Sequence, residues 1–150
     1  IIGTVMPDRF FSGTSFIVST VDPKRTFLEK IFLLHEEFSK PPEKIRHHRL
    51  SRHLYDLEKL MDTEFGIAAL NDKELYNLIV QHRAKYTAIR GLDYKSHAPG
   101  LINFVPPDEV LAEWDRDYVL MQGSMIYGPS PSFKLLLERM EELRRRFKAI

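Results

Sequence analysis

"DPKRTFLEKIFLLHEEFSK", residues 22–40, shows helical periodicity more plainly than any other part of the chain. Phe27, Ile31, Leu34 and Phe38 recur at the spacing of one helical face, and Leu28 and Phe32 widen that stripe. Asp22 suits the N-cap and Pro23 the first turn, where a missing N–H costs nothing. Pro41 and Pro42 end the helix.

Downstream, "HHRLSRHLYDLEKLM" (47–61) begins a second expected helix running from about His47 to Phe65, with Gly66 at its exit. At about 100° per residue, Leu50, Leu54, Leu57 and Met61 form an apolar stripe. Arg49, Arg52, His53 and Asp56 form another, polar one. That polar face suits either solvated salt bridges, worth only ~0.3–0.5 kcal/mol each, or one wall of a site. Spacing alone leaves the choice open.

A third helix, "KELYNLIVQHRAKYTAIR" (73–90), can be capped by Asn71-Asp72, with Leu75, Leu78, Ile79, His82, Tyr86 and Ile89 as its apolar face. Residues 91–107 lose periodicity and read as a long irregular loop, a kind often functional. A fourth helix starts near Asp108 and carries Val110, Leu111, Trp114, Tyr118 and Met121. The last begins at Phe133, with Leu136, Leu137, Met140, Leu143 and Phe147 on its apolar side. Ahead of them all, "TSFIVSTV" (14–21) reads as a strand. The expected fold is mainly α: a bundle of about five helices with a short β-element at the N-terminus.

The bulk properties narrow the function. With 150 residues, 43% hydrophobic and 29% charged, the chain can bury a substantial core. Its net charge of +1 provides no global basic field, so nucleic-acid binding would need a local patch. The absence of cysteine excludes disulfides, thiolate metal sites and a cysteine nucleophile. No apolar run approaches the ~20 residues that span a bilayer, so no membrane association is expected.

Several chemistries fail on spacing. His35, His47, His48 and His53 do not converge as zinc ligands, and "HEEFS" (35–39) is not H-E-x-x-H. "SGTSF" (12–16) lacks the second glycine and lysine of a phosphate loop. No Asp-x-Asp pair follows it closely, since Asp22 stands alone there. No nucleophile elbow is present.

Cations are more informative. Lys30 on the first helix faces Arg49, Arg52 and His53 if the first two helices pair, and such a set could meet a triphosphate. Asp56, one turn after Arg52, could orient it or approach a metal. A second set, Arg83, Lys85, Arg90 and Lys95, flanks the long loop near Tyr86 and Tyr94 and could contact RNA. A solvated helix face is the plainer account of both.

Together these blocks resemble the AbiEii/AbiGii nucleotidyltransferase toxins. The family's P-x-R-T-F-x-E-K-x-x-x-L-H run is carried by Pro23, Arg25, Thr26, Phe27, Glu29, Lys30, Leu34 and His35. Its R-H-x-Y-D-L block is carried by Arg52, His53, Tyr55, Asp56 and Leu57. "QHRAKY", "DYKSH", "WDRDYVLM" and "MIYG" are similar to later blocks, in the same order.

The resemblance implies a polymerase-β-like enzyme, the toxin of a type IV toxin–antitoxin pair, moving a nucleoside monophosphate from an NTP to an acceptor RNA, tRNA in related toxins. It implies Mg2+ and an NTP for the complete enzyme, a cognate antitoxin and a cytoplasmic setting. Lys30 matches the lysine expected at the nucleotide phosphates and Asp56 the second catalytic position. Arg49, Arg52 and His53 would either line the phosphate pocket or only hold the helix pair together.

The chain departs from the family where a Gly-rich turn and metal-binding Asp-x-Asp pair are expected. On this reading, residues 1–22 would be the terminal strand region of a truncated catalytic domain and 23–150 the C-terminal helical domain. Without those carboxylates the piece is expected to be inactive alone. The alternative is a non-catalytic helical module that binds RNA, or an antitoxin through the stripe Phe133, Leu136, Met140, Leu143 and Phe147.

Overall fold

Asp22 caps the first helix as its sequence requires, its carboxylate accepting the Lys24 N–H at 2.8 Å. This is α1, Pro23–Phe38, in a computed structural model that describes residues 19–149. The helices that follow are α2 (Arg52–Leu60), α3 (Glu64–Asn71), α4 (Lys73–Tyr86), α5 (Leu111–Ser124) and α6 (Phe133–Lys148). Among the described residues the fold is wholly helical apart from loops, and so mainly α. The strand expected over 14–21 falls largely outside the described residues, and residues 19–22 have no regular structure.

Helix α1 is the hub. Phe27, Leu28, Ile31, Phe32 and Leu34 are fully buried, and α2, α3 and α4 all pack on it. Its accessible side is a single stripe, Arg25, Thr26, Glu29, Lys30 and Leu33, at the i, i+4 spacing of one helical face. Helix α6 lies on α2 and α5, with Leu136, Met140, Leu143 and Phe147 fully buried. That stripe is therefore core, and it cannot serve as the antitoxin surface expected of it.

Two helix boundaries differ from expectation. The second helix does not run from His47 to Phe65. Arg49 adopts a left-handed backbone (φ 59°), and the helix starts only at Arg52. Past Leu60, Thr63 caps a separate helix by accepting the Gly66 N–H, which yields six helices where about five were expected. Gly66 therefore opens α3 and does not close α2. A Cβ there would lie 2.2 Å from the Leu60 carbonyl oxygen, so only glycine lets the two helices meet this closely.

Helix α4 is capped by Asp72 as expected but stops at Tyr86, where Ala88 turns the chain with φ 41°. Its inward face is Tyr76 and Ile79, while Leu78 and Tyr86 are exposed. The apolar residues of this helix occur nearly all round it, so periodicity did not distinguish its faces. The long loop is less irregular than its composition implied. It contains a 3-10 turn, Tyr94–His97, and buries His97, Ile102 and Phe104.

Candidate functional site

The seam between α1 and α2 brings two of the expected site residues into contact. Lys30 Nζ lies 2.7 Å from Asp56 Oδ2, both half-buried. Asp56 thus pairs across the helices with Lys30, while Arg52, one turn before it, sits exposed at the start of α2. His53 shares this seam. It is only 7% exposed, and its Nδ1 is buried with no hydrogen-bond partner. Burial pushes its imidazole down to about 4, helped by the Lys30 and Arg52 charges and opposed by Asp56.

Lys30 also opens onto a groove. The accessible stripe of α1 lines it with Arg25, Thr26, Glu29, Lys30 and Leu33, and Val21 and Arg83 close its sides. Arg25 lies 3.6 Å from Glu29 one turn on. Lys30 is therefore shared between this groove and the Asp56 carboxylate.

Arg49 does not belong to this seam. It lies in the turn ahead of α2, its side chain in solvent, and its backbone N–H donates to Asp117 Oδ1 at 2.7 Å. The other Asp117 oxygen accepts the Ser51 N–H at 3.1 Å and the Ser51 hydroxyl at 2.5 Å. This buried carboxylate of α5 thus holds the turn that launches α2, and so fixes where Asp56 sits. It belongs to the chain's one Asp-x-Asp, Asp115 to Asp117, and both its oxygens are occupied.

The second cationic set divides. Lys85, Arg90 and Lys95 are exposed. Arg83 turns inward: Nε donates to Glu36 Oε1 at 2.7 Å, and its two amino groups pair with Glu36 and Glu29. His97 Nε2 lies 3.2 Å from the same Glu36, which is 4% exposed. Burial pushes the Glu36 carboxyl up, but the hydrogen bonds from Arg83 and His97 outweigh it and hold it below the usual range.

Beside it, His35 Nδ1 accepts the Asn103 N–H at 3.1 Å, so its Nε2 carries the proton donated to Ser96 Oγ at 3.0 Å. These bonds clamp the loop 94–104 onto α1. Sequence reading missed Glu36, His97 and Asp117 because nothing in their spacing marks a polar side chain for burial. "HEEFS", "DYKSH" and "WDRDYVLM" contained them without revealing their partners.

Among the described residues, no group of three His, Asp or Glu side chains is placed to hold a metal ion. No helix there is long and apolar enough to cross a membrane. A family model described as the nucleotidyl transferase AbiEii toxin of a type IV TA system matches residues 4–144. No curated protein and no solved structure matches the chain.

Proposed function

The chain belongs to the AbiEii family of nucleotidyltransferase toxins, and from that premise we propose that it is the helical part of an enzyme that moves a nucleoside monophosphate from an NTP to an acceptor RNA, a tRNA, with Lys30 at the phosphates and no transfer by this part alone. Membership in a type IV toxin–antitoxin family implies a nucleotide substrate and an antitoxin partner. The observation that carries the site assignment is the Lys30–Asp56 contact, with buried His53 beside it.

In the transfer an acceptor hydroxyl attacks the α-phosphorus, the α–β bond breaks and pyrophosphate leaves. Charge builds on the phosphate oxygens, and positioned cations stabilise it. The Lys30 ammonium supplies such a cation at the mouth of the groove. Asp56 keeps that ammonium aimed along the seam, and the neutral imidazole of His53 adds no competing charge. On this reading Arg52, exposed at the head of α2, meets the outer phosphates.

Mg2+ is the usual partner of this chemistry, and the described carboxylates do not form a set that would hold it. Asp56 is engaged by Lys30, and Asp117 by Arg49 and Ser51. The cytoplasm, where NTPs and RNA are plentiful, is the setting this function requires. A non-catalytic module docking through α6 loses its main feature, because the stripe is buried.

The test is transfer of label from α-phosphate-labelled NTPs to total RNA by the complete enzyme, beside the chain alone, which is expected to transfer none. Lys30→Ala is expected to lower it by on the order of 10²–10³-fold, with helical content unchanged by circular dichroism. Equal transfer by the variant would remove Lys30 from the site.

A further inference from the structure

We propose that Tyr86, with His82 and Lys85 beside it and the exposed Arg90 and Lys95 following in the chain, is a stacking platform for an unpaired base of the acceptor RNA; this rests on the transfer function proposed above. Tyr86 closes α4 with 67% of its surface in water, although its spacing placed it on the apolar face. The His82 ring lies 4.7 Å away, centroid to centroid, and Lys85 Nζ stands 5.1 Å from the Tyr86 centroid. An aromatic ring left exposed beside an ammonium suits a ligand that has both a π-face and a phosphate.

The charge around it favours an anion. From Leu75 to Leu92 the chain has Arg83, Lys85 and Arg90 and no acidic residue. Arg83 is neutralised internally by Glu29 and Glu36. Lys85, Arg90 and Lys95 make no ion pair with a described carboxylate, and the nearby Asp93 is occupied in capping the Lys95 N–H. Stabilising the C-terminal end of the α4 dipole would account for Lys85 alone. Arg90 and Lys95 lie beyond the helix, past the turn at Ala88.

Position links the platform to the nucleotide. Arg83 is a wall of the groove that Lys30 opens onto. Tyr86 follows it by three residues, about 300° of helical turn, so the ring emerges about 60° around α4 from that wall. A base stacked there would hold a single strand within one helical turn of the groove, its phosphate facing Lys85.

The test measures binding of an unstructured, fluorescently labelled ten-nucleotide RNA by anisotropy at several salt concentrations. Alongside it, NTP affinity is followed with the same chain and label transfer with the complete enzyme. Tyr86→Ala is expected to weaken RNA binding about 5- to 150-fold without changing the salt slope, while Tyr86→Phe stays close to wild type. Replacing Lys85, Arg90 and Lys95 together by alanine should flatten the salt slope. NTP affinity should be unmoved in all three.

RNA binding untouched by Tyr86→Ala overturns the platform; if transfer still depends on Lys30, the function stands without it. RNA binding that depends on Tyr86 while the complete enzyme transfers no label supports the platform and overturns the function. A wild-type chain that binds duplex RNA and ignores single strands overturns the platform.

Discussion

His53 and His35 show how a single buried ring reports on its surroundings. Burial, with the Lys30 and Arg52 charges, pushes His53 down to about 4; burial, with His97, does the same to His35. Both rings are neutral in the fold and titrate near 6.5 once unfolded. The unfolded chain therefore binds more protons between pH 6.5 and 4, and stability falls as pH drops through that window. The loss expected by pH 5 is about 2 kcal/mol per histidine, read as a lower urea midpoint than at pH 7.5. His53→Asn should remove its share of that pH dependence, whereas a midpoint independent of pH would mean these rings are not buried neutral. Glu36, Glu37 and Asp72 are held below the usual carboxylate range.

At the scale of elements, two joints fix α2, and neither is apolar. The first is Gly66, whose missing side chain lets α3 begin against the end of α2. Gly66→Ala puts a methyl onto backbone that cannot rotate away, and the expected cost is about 2–4 kcal/mol, seen as a lower thermal midpoint. A midpoint within a degree or two of wild type would mean that the helices separate freely. The second is Asp117, which gathers the Arg49 N–H and both donors of Ser51 ahead of α2. Asp117→Ala strands those buried donors and is expected to cost about 3 kcal/mol. Asp117→Asn keeps part of the acceptor set and should cost less; equal losses in the two would argue against this capping role.

Across the whole molecule, α1 was legible because its stripe was wide and its cap and stop signals agreed. Phe27, Ile31 and Leu34 are buried as their spacing required. α4 was legible in part: Ile79 is buried and Leu75 packs on the core as their spacing required, while Leu78 and Tyr86, equally apolar, are exposed. The break between α2 and α3 was missed because Gly66 looks like an exit when its neighbours across the turn are unknown. The candidate site was half legible. Lys30 and Asp56 stood out as residue types, but their 2.7 Å contact depends on how two helices pack. Arg83 looked like its exposed neighbours until Glu29 and Glu36 were seen to hold it.

The most direct measurement is NTP affinity by calorimetry for the wild type, Lys30→Met, Asp56→Asn and the double variant. Removing Lys30 alone leaves Asp56 as an unpaired carboxylate facing the phosphates, so Lys30→Met should bind at least about 10-fold more weakly. The double variant should regain part of that loss, and Asp56→Asn alone should bind no worse than wild type. NTP affinity unchanged in Lys30→Met would contradict a nucleotide site at this seam.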